Sequence, residues 1–304
     1  MATPEISILI LAKNEERNIG RCLEQVFSQV TTRKYEVVIV DSGSTDGTLS
    51  IAARFPARQY RIKPEEFSHS RTRNYAAGLA VGRYLVFLAA DAIPTDHTWL
   101  ANLIQPLDAS DDIGAVYGRQ YPAKNAIPIH RFRLQWLYGN TPTVKCYATS
   151  PRNRSLFFFS TVNCAIRKKV WEAFRFDPQL PIFEDTDFAR RILRAGTHIF
   201  YTPLAAVYHS HNIGAIGTFK RYFDVGLVHS KSGIADDMTE GMSGEGLKFV
   251  TLEFLFLLRS GNVLSVPYAF LHNIAKATGM IVGRHGEHLP KSLTRRLSLQ
   301  YFRT

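Results

Sequence analysis

The chain has 304 residues, 45% of them hydrophobic and 21% charged, so one large α/β domain with or without an extension fits, and a natively disordered chain does not. The formal net charge is +11, which suits anionic partners: nucleic acid, anionic lipid or phosphate-bearing substrates. Cys22, Cys146 and Cys164 are widely spaced with no CxxC pair, which argues against a zinc knuckle and a disulfide framework. The N-terminus has neither a basic n-region nor a cleavage site, and its apolar run is short. An intracellular location is therefore expected.

Ile6 to Leu11 is nearly all apolar and predicts a buried strand, broken by Lys13-Asn14-Glu15-Glu16. Glu15 to Ser28 carries Ile19, Leu23, Val26 and Phe27 at helical spacing. Tyr35 to Val40 predicts a second buried strand. It ends in Asp41 and a tight loop, Ser42-Gly43-Ser44-Thr45-Asp46-Gly47-Thr48, which caps a helix through Ala53. Arg58 to Ile62 reads as a third strand, and His69 to Ala80 as a helix carrying Arg71, Arg73 and Asn74. Tyr84 to Ala89 is a fourth strand, apolar on both faces, that runs into a turn with Asp91. This alternation predicts a parallel sheet with crossover helices. Asp41 and Asp91 then lie at carboxyl ends of strands, where open α/β sheets bind ligands. A carboxylate there can hold a divalent metal and, through it, a diphosphate. The plainer alternative is that Asp91 only starts a turn before Pro94.

Asp96 to Leu107 reads as a helix and Gly114 to Tyr121 as a strand. Pro122 to Phe159 looks irregular, aromatic and basic. It holds Arg131, Arg133, Trp136, Tyr138, Lys145, Tyr147, Arg152 and Arg154, and reads as an acceptor wall or a variable insertion. Ser160 to Arg167 predicts a strand and Lys168 to Phe174 a helix turn. Phe183-Glu184-Asp185-Thr186-Asp187 opens a helix with Phe188, Ile192 and Ala195 on its apolar face. Acidic residues there cap free amides and complement the helix dipole, and they are also candidates for a general base. Thr197 to Tyr201 and Ala205 to His211 predict two short strands. His209 and His211 are two apart, so on a strand they face one side, as metal or phosphate ligands would.

Thr218 to Ser230 predicts a helix, and Ile234 to Gly246 an acidic, glycine-rich mobile lid or linker. Leu247 to Leu258 and Val263 to Val282 are apolar, but neither offers eighteen uninterrupted apolar residues, so no span is expected. Arg284 to Arg303 is basic. Apolar helices followed by a basic run suit an anchor on an anionic membrane surface, or a helical pair packed on the main domain or on a second subunit. The expected division is 1–232 as the main domain, 233–246 as linker or lid, and 247–304 as a basic, amphipathic helical extension.

No GxGxxG follows the first strand, and GxxxxGK[ST] is absent, so neither dinucleotide nor P-loop chemistry is indicated. VVIVDSGSTDGT, RTRNYAAGLAVGRYLVFLAADAIP and FEDTDFARRILRAG occur in this order, and with them the chain resembles the family 2 inverting glycosyltransferases of GT-A fold. It is most similar to the bacterial rhamnosyltransferase group, over roughly the first 230 residues. The resemblance implies a Rossmann-like α/β fold with a central, mostly parallel sheet flanked by helices and followed by the C-terminal helices. It maps the family's base-binding aspartate onto Asp41 and its metal-binding DxD motif onto Ala90-Asp91-Ala92. Only one aspartate of that motif remains, as in the rhamnosyltransferase group, which leaves the metal shell one carboxylate short.

The resemblance places the nucleotide-sugar slot at Ala12, Asn14, Glu15, Asp41, Ser42, Gly43, Arg73, Asn74, Ala90, Asp91 and Ala92. It makes Asp185 the base, with Glu184 orienting the acceptor, and a divalent metal (Mg²⁺ or Mn²⁺) bound by Asp91 with His209, or His211. The implied donor is dTDP-L-rhamnose, with a UDP-sugar as the alternative. The implied acceptor is a growing glycan or lipid-linked saccharide of O-antigen or exopolysaccharide synthesis. A cytoplasmic enzyme on the inner face of the cell membrane, paired or unpaired through its tail helices, follows from these readings. Three rival readings stand beside this one. A sugar-phosphate nucleotidyltransferase needs a glycine-rich basic loop after the first strand, which Lys13-Asn14-Glu15-Glu16 is not. A nucleic-acid-binding protein would show basic and aromatic residues interleaved on one face; here the basic residues are spread out and gather in the tail. A non-catalytic nucleotide-sugar-binding scaffold is the third.

Overall fold

Three apolar runs and one short polar edge run form parallel strands in the computed structural model, which describes residues 3–150, 155–180, 182–232 and 242–299. They are β1 (Ile6–Ala12), β2 (Tyr35–Asp41), β3 (Arg58–Arg61) and β4 (Tyr84–Ala89). β5 (Ile93–Pro94), β6 (Ile113–Tyr121), β7 (Thr143–Lys145), β8 (Asn163–Arg167) and β9 (His198–Tyr208) complete one sheet. Its order is β3-β2-β1-β4-β8-β6-β9-β5, with β7 on β9. β8 enters antiparallel to both β4 and β6, so the parallel half predicted from the first ninety residues continues as a mixed half.

Because the strands are apolar on both faces, helices cover both. On one side α1 (Ile19–Phe27) and α4 (Trp99–Ala109) bury Leu23, Val26, Leu100 and Leu103 against Ile8, Ile10, Val86 and Leu88. On the other, α3 (His69–Leu79), α6 (Lys168–Phe174) and α7 (Glu184–Arg194) pack Ala76, Trp171, Phe188 and Ile192 on Leu9, Val38, Leu85 and Phe87. Each such aliphatic side chain contributes about 1.5–3 kcal/mol by leaving water. The short α2 (Thr48–Ala52) follows the β2 loop.

Helix α1 starts four residues later than its periodicity suggests. Residues 14–16 are drawn onto the β2 loop instead: their backbone amides donate to Ser44 Oγ (2.8 Å), Thr48 Oγ1 (2.7 Å) and Asp46 Oδ2 (3.2 Å). The segment 122–159 is less irregular than expected, containing α5 (Pro128–Leu137) and β7; Arg152 and Arg154 lie outside the described residues. The two strands expected over 197–211 are one strand, β9, with a bulge at Pro203-Leu204. Its pairing to β6 jumps from Gly118↔Thr202 to Gln120↔Val207. Gly118 permits the crossing, since a Cβ there would lie 1.9 Å from Ala205 O.

The tail is helical. α8 (Ala215–Ser232) is followed by α9 (Met242–Arg259), α10 (Val266–Arg284) and α11 (Lys291–Leu297). Residues 233–241, most of the expected lid or linker, lie outside the described residues, and 242–246 are helical. α8 and α10 approach through glycines: a Cβ on Gly279 would stand 2.4 Å from Phe219 O, and one on Gly283 2.1 Å from Phe223 O. α9 packs on α5 through Phe132, Phe249 and Phe256. No helix among the described residues is long and apolar enough to cross a membrane.

Candidate active site

Strand β4 ends by turning at Ala90-Asp91-Ala92. The two alanines are buried, so only Asp91 projects from the turn, its side chain 16% exposed. β9 ends beside it. β5 ties the two edges together, Ile93 pairing with Tyr208. His209 and His211 lie just beyond the strand's last residue, where His209 N still donates to Tyr121 O at the end of β6 at 2.9 Å. His209 Nε2 is 3.6 Å and His211 Nε2 3.3 Å from the Asp91 carboxylate. Ligand atoms of the three residues lie within 4.8 Å of one another. Burial holds the His209 imidazole down at about 4, against the pull of Asp91, so it is neutral and has a free lone pair. Its Nδ1 is 2.9 Å from Gln120 Oε1, and the Gln120 amide in turn donates to Tyr138 Oη and Ser160 Oγ. Nδ1–H is thereby the donor, and Nε2 is left toward Asp91. One carboxylate and two imidazoles, with open positions, fit a divalent metal, and Mn²⁺ tolerates this nitrogen content better than Mg²⁺ does.

Gln120 was not singled out in the sequence. The available signal was a polar amide in an otherwise apolar strand run, AVYGRQY.

The β1 and β2 loops are bonded together at the same sheet edge. Asn14, at φ 55°, accepts the Thr45 amide on its side chain at 2.8 Å, and Ser42 N donates to Ala12 O at 2.9 Å. Asp41 is fully buried and turned into its own loop, accepting the Gly43 and Ser44 amides at 3.0 Å, with Arg61 Nε at 3.5 Å. Its carboxylate fixes the conformation of this loop. Gly43 is at φ 82°, and a Cβ there would meet Pro64 Cγ at 2.6 Å. Ser42 Oγ is buried without a hydrogen-bond partner. Burial raises the Glu15 carboxyl; Asn18 and His211 oppose the shift, and Asp91 adds to it.

Asn74 is not joined to these two loops. Its side chain donates to Phe176 O (2.7 Å) and accepts from Trp171 Nε1 (3.0 Å) and Phe176 N (3.1 Å), which uses its amide to hold α6 against α3. Arg73, expected at the diphosphate, is paired with the buried Glu184.

That pair sets up the second half of the site. Phe183, at φ 65°, turns the chain into α7 and places Glu184 and Asp185 in its first turn. Asp185 is raised to about 7, first by burial and then by the Glu184 charge; Arg73 and the Thr186 and Thr161 amides oppose the rise. Thr161 immediately precedes Val162, whose carbonyl accepts from Ala89 N at 3.0 Å, at the root of the Asp91 turn. A carboxyl that titrates near neutrality therefore lies on the same edge as the Asp–His–His cluster, and a general base is tuned in this way.

Known proteins share this arrangement of sequence. The family described as "Glycosyl transferase family 2" matches residues 7–174. The O-antigen chain rhamnosyltransferase WbaN of Salmonella anatum is 34% identical over 90% of this chain and 87% of its own length. RfbN of Salmonella typhimurium, another O-antigen chain rhamnosyltransferase, is 33% identical over 89% of this chain and 87% of its own. Among solved structures, mannosyltransferase PcManGT from Pyrobaculum calidifontis, in complex with GDP-Man and Mn²⁺, superposes with a TM-score of 0.65. It is 18% identical and covers 96% of this chain and 89% of its own, a likeness of GT-A fold. The chain belongs to glycosyl transferase family 2.

Proposed function

We propose that this glycosyltransferase moves a sugar, L-rhamnose from dTDP-L-rhamnose, onto a hydroxyl of a lipid-linked glycan during bacterial surface polysaccharide synthesis, with inversion at the anomeric carbon. The observation that carries the chemistry is Asp185, a near-neutral carboxyl on the same sheet edge as Asp91, His209 and His211. The two Salmonella relatives support the sugar and the polysaccharide. A UDP-sugar is the alternative donor.

Asp91, His209 and His211 would hold a divalent metal, whose charge stabilises the departing diphosphate when bound. The loops at Ala12–Glu15 and Asp41–Gly43 line the nucleoside slot and fix the donor's direction. Asp185 takes the acceptor hydroxyl's proton as that oxygen bonds to the anomeric carbon and the carbon–diphosphate bond breaks. Glu184 keeps Arg73 beside Asp185, and the guanidinium favours the ionised base.

The tail suits the inner membrane surface. Leu258, Leu264, Phe270, Leu271 and Ile274 are exposed on α9, α10 and the turn between them, and Arg284, Lys291, Arg295 and Arg296 follow. Pairing of two subunits through the same face is the other reading. Vesicles with anionic lipid, sedimented with the protein, separate the two: co-sedimentation lost in Phe270→Glu with Leu264→Glu supports the membrane, and a monomer–dimer shift alone supports pairing.

Transfer itself is tested by nucleoside diphosphate release from dTDP-L-rhamnose, UDP-glucose and UDP-galactose in the presence of a lipid-linked acceptor. Release from dTDP-L-rhamnose alone supports the reading, and release from none overturns it.

A further inference from the structure

Lys145, expected on an acceptor wall, is instead buried in the domain, 7% exposed. It is the last residue of β7 and pairs with Ile199 of β9. Its Nζ donates to Ser155 O and to Phe158 O, each at 2.6 Å, and lies 4.9 Å from the centre of the Tyr117 ring. No carboxylate pairs with it among the described residues. Burial lowers the amine to about 7, because an ammonium without a counter-ion is costly inside a protein. An apolar side chain of similar length would fill this place without that cost. What such a side chain lacks is the pair of bonds to the two carbonyls, and a neutral amine still carries N–H donors to make them.

Those carbonyls belong to the segment that joins the two halves of the site. Two residues after Phe158, Ser160 Oγ accepts the Gln120 side-chain amide at 2.9 Å, and Gln120 orients His209. The next residue, Thr161, gives its backbone amide to Asp185. Val162 O then accepts from Ala89 N at 3.0 Å, at the root of the Asp91 turn. Residues 155–162 lie in no helix or strand, so no ladder of backbone bonds sets their course and the side-chain anchors do. Lys145 is the anchor at the upstream end. Its two bonds span Ser155 to Phe158 and so fix where the chain enters Ser160 and Thr161, both of which are buried.

We infer that Lys145 is a positioning residue for sugar transfer: by clamping the Ser155 and Phe158 carbonyls it keeps the Thr161 amide on Asp185 and Ser160 on Gln120. The inference rests on Asp185 being the base, as in the function proposed above. Lys145 acts through Thr161, not on the substrates. An amide that donates to a carboxylate favours its ionised, proton-accepting form and fixes its direction. With the clamp removed the segment shifts, and a misplacement of about 1 Å can cost about 10²-fold in rate.

The test follows the Thr161 amide by NMR of the isotope-labelled full chain through the Asp185 titration, in wild type, Lys145→Met and Asp185→Asn, with thermal melts confirming that each is folded. In wild type the resonance is expected to move with a midpoint of about 7, and in Asp185→Asn to stay still. In Lys145→Met the movement is expected to shrink at least about twofold, because the amide no longer stays on the carboxylate. An amide that ignores pH in wild type, or an unchanged curve in Lys145→Met, overturns the clamp. So does a midpoint that moves with the full amplitude kept, since Lys145 would then act by charge alone. Nucleoside diphosphate release is assayed beside it. The expected result for Lys145→Met is a kcat about 10–100-fold lower with donor KM within about twofold of wild type. A lysine of purely structural role would lower Tm and leave kcat per folded molecule unchanged, which overturns the positioning role. Lys145→Gln, shorter but with N–H donors, is read in the same way where the methionine variant does not fold, and failure of both to fold makes Lys145 a folding residue and overturns the inference. The amide readout needs no turnover. Absence of transfer by wild type therefore counts against the proposed function, while the amide alone decides the clamp.

Discussion

His209 Nδ1 lies 2.9 Å from Gln120 Oε1, and this bond decides which imidazole nitrogen faces Asp91. Gln120 itself bonds Tyr138 and Ser160, so a residue on β6 orients the first histidine after β9. Gln120→Leu removes the acceptor and frees the tautomer. Mn²⁺ affinity, read from the electron paramagnetic resonance of the free ion, is expected to fall about 10–100-fold. An unchanged affinity would show that Gln120 does not orient His209.

Asp185→Asn is expected to lower kcat by about 10²–10⁴-fold while donor affinity is kept, because only the proton acceptor is lost. In wild type the base is active when ionised, so kcat rises with pH through about 7. Arg73 lowers that value and Glu184 raises it, so Arg73→Gln moves the limb to higher pH and Glu184→Gln to lower pH. A limb that stays in place in both variants contradicts the assignment.

The same carboxyl links stability to pH. Its folded pKa is raised above the ordinary 3.8, so its stabilising contribution is complete below that value and is lost as pH rises through about 7. Asp185→Asn, which cannot ionise, is expected to raise Tm relative to wild type at pH 8 and to leave it nearly unchanged at pH 4. Equal shifts at the two pH values would show that the carboxyl is not held protonated by the fold.

The tail depends on small residues where α8 and α10 cross. Gly283→Val places its side chain against the Phe223 carbonyl and is expected to cost about 1–3 kcal/mol in urea unfolding. A change within a few tenths would mean that the helices separate freely.

Much of this protein was legible in its sequence. The apolar strands β1, β2 and β4 can pair only where both faces are covered, and their ends put Asp91 at the working edge. His209 and His211 were legible as a pair: two residues apart at the end of β9, both turn Nε2 to Asp91. Local periodicity did not show the antiparallel entry of β8 or the β9 bulge, because both depend on distant partners, Asn163 and Gly118 meeting Ala205. Asn74 looked like a donor contact by its place in a motif. Its amide instead bonds Trp171 and Phe176, about a hundred residues away, which no local pattern encodes.

One measurement bears most directly on the account: the anomeric configuration of the product, followed by NMR from dTDP-L-rhamnose and a lipid-linked acceptor, with Mn²⁺ or EDTA, for wild type, Asp91→Ala and Asp185→Asn. The account predicts transfer with inversion in wild type, strong loss in both variants, and loss in EDTA. Retention of configuration, or wild-type turnover in Asp185→Asn, would contradict a single displacement in which Asp185 takes the proton.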